Sequence, residues 1–122
     1  MPRVPTLLVL SLAWALNADS AFAQRQFDGP WSIEAIPESG TCKRSYRYPV
    51  VIENGTIRSG GSRRLNMAGA GLQADGRIRG SIQRSNTRVE VAGSLSGRSG
   101  TGTWSAVGRV TCAGRWNAEK RG

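Results

Sequence analysis

The chain has 122 residues, 16 of them glycine, with 17 Lys and Arg against 8 Asp and Glu, a net charge of +9 and no histidine. That length holds one small domain with a marginal hydrophobic core. The missing histidine removes Ser–His and Cys–His nucleophile pairs and the common zinc and non-haem iron sites, so neither an enzyme, a metal centre nor a cofactor is expected.

Residues 1–23 read as a cleaved export signal. Arg3 gives a positive start, an apolar stretch runs from Leu7 to Leu16, and Ala21-Phe22-Ala23 is a small-x-small cleavage pattern. The apolar stretch is shorter than the ~20 residues of a spanning helix. The expected domain is then 24–122, periplasmic or secreted, with no transmembrane segment after processing. Two cysteines follow the signal, Cys42 and Cys112, and an even count in an exported chain predicts a disulfide. It would close a loop of about 70 residues, worth ~4 kcal/mol on loop-closure entropy.

Beyond the signal, no segment keeps helical periodicity for more than about two turns, and period-two alternation recurs instead. Phe27, Gly29, Trp31, Ile33 and Ala35 share one face of a first strand. Cys42, Tyr46, Tyr48, Val50 and Ile52 share one face of a second, with Lys43, Ser45, Arg47 and Glu53 on the other. Asn54-Gly55 is a hairpin turn, although Asn54-Gly55-Thr56 also spells a glycosylation sequon. Leu65–Gln73 is a weaker strand ended by Asp75-Gly76. Gly69–Ala74 formally matches a dinucleotide fingerprint, but the turn at Asp75 leaves no room for the helix that motif needs.

Arg77–Gln83 alternates Ile78, Gly80 and Ile82 against Arg77, Arg79, Ser81 and Gln83. Ser85-Asn86 turns the chain, and Val89, Val91, Gly93 and Leu95 then share a face. After a turn in Ser96–Gly100, Trp104 anchors a strand over Thr101–Val107. A last strand sets Val110, Cys112, Gly114, Trp116 and Ala118 against Arg109, Thr111, Arg115 and Asn117. Seven or eight short strands with short connections predict an all-β, antiparallel up-and-down barrel with one disulfide; a two-sheet sandwich is the alternative.

Two sets of side chains are candidates for binding. Trp31, Trp104 and Trp116 each follow a glycine by two residues, hence on the same strand face, and either fill the interior or line a pocket. Arg77, Arg79, Arg88, Arg109 and Arg115 fall on polar strand faces and, with Arg58, Arg63, Arg64 and Arg98 in loops, would form an arginine-rich surface. Guanidinium groups suit phosphate and carboxylate ligands, so an anionic component of the cell envelope or a protein partner is the expected ligand. Nucleic acid is not expected, because the face lacks the interleaved aromatics of a single-strand platform.

The layout resembles small exported α-proteobacterial proteins that open with F-D-G-x-W-S, continue with C-x-x-x-Y-x-Y-P-V and close on C-x-G-x-W-x-A. Here these are Phe27–Ser32, Cys42 with Tyr46–Val50, and Cys112–Ala118. Members are often labelled haem-utilisation or exoprotein-like. For haem iron that resemblance leaves Tyr46, Tyr48, Met67 or an opened cysteine as ligands. A looser similarity is to secreted inhibitors of bacterial metalloproteases. It implies action through Gln24-Arg25-Gln26-Phe27 or a loop at the barrel mouth.

Overall fold

The turns read in the sequence each join two antiparallel strands in the computed structural model, which describes residues 25–60 and 70–122, with only the backbone of Ala70 and Arg84. The expected export signal, Arg63, Arg64, Met67 and the 65–69 part of the expected Leu65–Gln73 strand lie outside the described residues. The eight strands are β1 (Gly29–Gly40), β2 (Tyr46–Glu53), β3 (Thr56–Ser59), β4 (Ala70–Leu72), β5 (Arg77–Arg84), β6 (Thr87–Ser96), β7 (Ser99–Gly108) and β8 (Cys112–Lys120). They form one sheet in the order β3-β2-β1-β8-β7-β6-β5-β4. β1 and β8 pair, so the meander curls into a nearly closed barrel in which β3 and β4 are the unpaired edges among the described residues. A single continuous sheet is a barrel and not a sandwich.

Turn chemistry sets the hairpins. Asn54 and Gly55 have φ of 52° and 77°, the left-handed pair of a two-residue hairpin, which explains the sequon as a turn. β3, only four residues long, is the half of this hairpin that no alternation marks. A bulge between Pro37 and Ser39 shifts the β1–β8 register, where a proline without an N–H is tolerated.

Inward parity follows the ladders. Ile33 pairs with Tyr48 and Ala118, and Gly102 with Trp116 and Gly93. The two ends of the barrel differ. At one end Phe27, Trp31, Ile52, Leu95 and Ala118 are buried together, each large side chain contributing about 1.5–3 kcal/mol by leaving water. Phe27 plugs this end: Trp31 Nε1 donates to its carbonyl at 2.8 Å. The Asp28 carboxylate receives the backbone N–H of Asn54 at 2.9 Å and of Gly55 at 3.4 Å, and Gln26 Nε2 donates to Ala74 O at 2.6 Å.

The opposite end carries the β1–β2 loop (41–45), the Ser85-Asn86 turn and the β7–β8 loop (109–111). The Cys42–Cys112 disulfide ties two of these together, with Cα atoms 5.7 Å apart across 70 residues of sequence. Thr41 N–H donates to Thr111 O at 3.0 Å beside it. Such a bridge belongs to chains that fold in an oxidising, non-cytoplasmic compartment. Cys42 lies in the loop and not on β2, because β2 begins only at Tyr46.

Candidate binding cavity

Where Trp31 and Leu95 fill the plugged half of the barrel, the open half receives Ala35 from β1, Val89 and Val91 from β6, and Ala106 from β7. These cannot meet across an eight-stranded barrel, which is just wide enough for large side chains to fill or for one small ligand to occupy. The result is a cavity of about 740 Å³, open at the disulfide end.

Trp116 helps form its floor. Its indole lies across Gly93 and Gly102 on the two preceding inward faces, where an added Cβ would stand 2.5 Å from Cζ2 and from Nε1 respectively. The glycines that yield space are thus on neighbouring strands, whereas the glycine two residues earlier in its own strand, Gly114, sits against the Ile36 carbonyl at the bulge. Trp116 Nε1 donates to Ala92 O at 3.1 Å, and Trp104 Nε1 donates to Arg115 O at 2.9 Å. Both N–H groups are satisfied by backbone, so neither adds an unpaired donor to the apolar wall. Trp31, 2% exposed, is core; Trp104 and Trp116 line the cavity. Ile57, Ile78 and Ile82 complete the apolar wall on one side. On the other, Tyr46 and Tyr48 stack with ring centroids 6.2 Å apart.

The rim has a different chemistry. Lys43 and Arg44 from the β1–β2 loop and Arg109 from the β7–β8 loop line the mouth, and no Asp or Glu lines the cavity among the described residues. None of these three cations is in an ion pair among the described residues. Tyr46, 52% exposed, and Val110, 42% exposed, give the rim an apolar component.

The five arginines singled out by parity are not one patch. Arg109 is the clearest correction: β7 ends at Gly108 with φ of 142° and β8 starts at Cys112, so Arg109 and Val110 belong to a loop and Arg109 joins the rim. Lys43 is displaced to the rim for the same reason. Arg77, Arg79, Arg88 and Arg115 do lie on outer faces, but three have carboxylate partners: Arg77 with Asp75 at 3.5 Å, Arg88 with Glu90 at 2.6 Å, and Arg115 with Glu38 at 3.7 Å. Arg79 and Arg115 share a register row through Ala92 and Thr103. Three strand spacings of ~4.8 Å separate their backbones.

Asp28, Glu34, Glu53, Asp75 and Glu90 are engaged in structure. Asp28 closes the β2–β3 turn and Asp75 receives Arg77 N–H at 3.1 Å. Glu34 and Glu53 pair with Arg47 and Arg58. Glu90 accepts the Ser81 hydroxyl at 2.8 Å, which together with Arg88 holds its carboxyl below the ordinary value. Among the described residues no group of His, Cys, Asp and Glu is placed to hold a metal ion, and no helix is long and apolar enough to cross a membrane. Within the N-terminal segment, Gln24 lies outside the described residues, and Gln26 and Phe27 are folded against the plugged end.

The alternation located the walls of the cavity but not the void. Ala35, Ala106 and Val89 are the signal that was present, small residues at inward positions of the open half, although Gly100 and Ala118 are small and inward at the plugged end as well. Comparison of the chain with protein families, with curated proteins and with solved structures finds no match.

Proposed function

We propose that this protein is a non-catalytic binding domain that holds a small apolar molecule in the open half of its barrel. The observation that carries the reading is the cavity of about 740 Å³ with mostly apolar walls. Its size falls among small-molecule sites, which run from ~300 to ~1,000 Å³ and are mostly apolar with a few placed polar groups. Export by the 1–23 signal to the periplasm or the exterior supports a carrier or scavenger role, and the disulfide fits that destination.

The test is a titration with the neutral fluorescent probe N-phenyl-1-naphthylamine. Saturable binding, one probe per protein, is expected for the oxidised chain. Ala106→Phe, which places a ring in the cavity beside Cys112, should abolish it while the barrel still unfolds cooperatively. Equal binding by Ala106→Phe would overturn the reading.

A second reading rests on the outer face of β5, where Arg77 and Arg79 stand two residues apart. It assigns the protein an anionic envelope component or a protein partner. Under it, vesicles of anionic lipid bind at low salt and are released as salt rises, and Arg77→Ala with Arg79→Ala weakens the binding.

A further inference from the structure

The cavity reading leaves the ligand's chemistry open, and the rim narrows it. We infer that the ligand is a single-headed anionic amphiphile: an apolar body that enters the barrel and one acidic group that stays at the mouth. The inference rests on the cavity reading above and specifies what that cavity selects.

Three observations combine. The first is charge asymmetry along the barrel axis. Lys43, Arg44 and Arg109 come from two separate loops and converge on one mouth, with no carboxylate in the lining to offset them. On the outer strand faces Arg77, Arg88 and Arg115 have carboxylates beside them. Three like charges around one opening repel one another, and an anion seated among them relieves that repulsion as well as adding attraction. The second is a fixed scaffold. The loops bearing the cations are joined by the Cys42–Cys112 bridge and by Thr41 N–H to Thr111 O at 3.0 Å. The cations are therefore held near one another without spending ligand-binding energy on ordering their backbone.

The third is depth. Along β6 the lining runs from Thr87 near the mouth to Val91, four residues at ~3.4 Å each on a strand tilted by ~40°, hence ~10 Å of axial depth. The plugged end, with Phe27 and Trp31 buried, stops a longer body from passing through. An apolar body of about that length, with its head at the rim, satisfies both ends of the site. A neutral molecule would use only the walls. A cationic one would be repelled by the cations at the rim.

The experiment uses three probes with the same ten-carbon tail: decanoate, decanol and decyltrimethylammonium. Each is titrated by calorimetry into the oxidised protein at low salt and again at about 0.5 M salt, where the screening length is only a few ångström. Decanoate should bind about tenfold or more tightly than decanol at low salt, and the ammonium most weakly. High salt should shrink the preference, and the triple variant Lys43→Gln, Arg44→Gln, Arg109→Gln should level the three probes. Should that variant misfold, the salt series on the unaltered protein still decides. Decanol binding as tightly as decanoate, or a preference for the ammonium, overturns the anionic assignment and leaves the apolar cavity reading standing. If none of the three binds, the cavity reading itself fails, and this inference with it.

Discussion

At the scale of single residues, volume decides where a tryptophan ends up. Trp31, Trp104 and Trp116 share the same Gly-x-Trp spacing, yet Trp31 is sealed under Phe27 while the other two face a cavity. What differs is the row opposite each ring, which the spacing within one strand does not encode. Gly102 illustrates the constraint. An added Cβ there would press on the Trp116 ring at 2.5 Å and on the Ala92 carbonyl. Gly102→Ala is therefore expected to destabilise by about 1–3 kcal/mol through overpacking, read by urea unfolding; a neutral effect would show that Trp116 is free to move from the cavity floor. Glu90 gives a pH handle. Its carboxyl is held below the ordinary value of 4.5 by the Ser81 hydroxyl first and by Arg88. A group with a lowered folded value stabilises the fold above its unfolded value, and that contribution disappears as pH falls through the folded one. Acid unfolding of Glu90→Gln should thus show a shallower loss of stability below pH 4.5 than the parent. Parallel acid limbs for the two proteins would show that the Ser81–Glu90–Arg88 cluster contributes nothing.

At the scale of elements, period-two alternation and turn pairs were enough to read the barrel. Gly29–Ala35, Arg77–Gln83 and Val89–Leu95 alternate because one face of each meets the interior and the other meets water; Phe27, expected on the first strand, lies in a turn before it. Asn54-Gly55, Asp75-Gly76 and Ser85-Asn86 each mark a reversal. The readings failed at strand ends. Lys43 and Arg109 continued a formal alternation past the point where hydrogen bonding stops, and so were placed on outer faces when they stand at the rim. Parity has no term for termination; here Gly108 and the bridged loop supply it. The disulfide is the element that fixes those loops. Cys112→Ala is expected to cost about 2–5 kcal/mol in unfolding free energy. It should also weaken decanoate more than decanol, because the rim cations lose their scaffold while the walls remain. Equal weakening of both probes would place the bridge's role in the walls instead of the rim.

For the whole molecule, the governing fact is that one barrel holds two different interiors. The half plugged by Phe27 is a packed core, and the half beyond Trp116 is a cavity of about 740 Å³ with a cationic mouth. The basic composition, read along the sequence as a broad arginine surface, resolves into an outer face where Arg77, Arg88 and Arg115 are paired with carboxylates and Arg79, among the described residues, is not, and a set of cations at the opening. The void was not legible because it depends on which small residues face one another across the barrel, not on any run of neighbours in the chain. Its presence is most directly checked by methyl NMR of the oxidised protein during a decanol titration. Shifts are expected among the lining methyl groups of Ile33, Val50, Ile57, Ile78, Ile82, Val89, Val91 and Val110, while Leu95 and Ile52 in the plugged half and Val107 on the outer face stay still. Shifts centred on Val107, or no saturable shifts at all, would contradict the cavity reading.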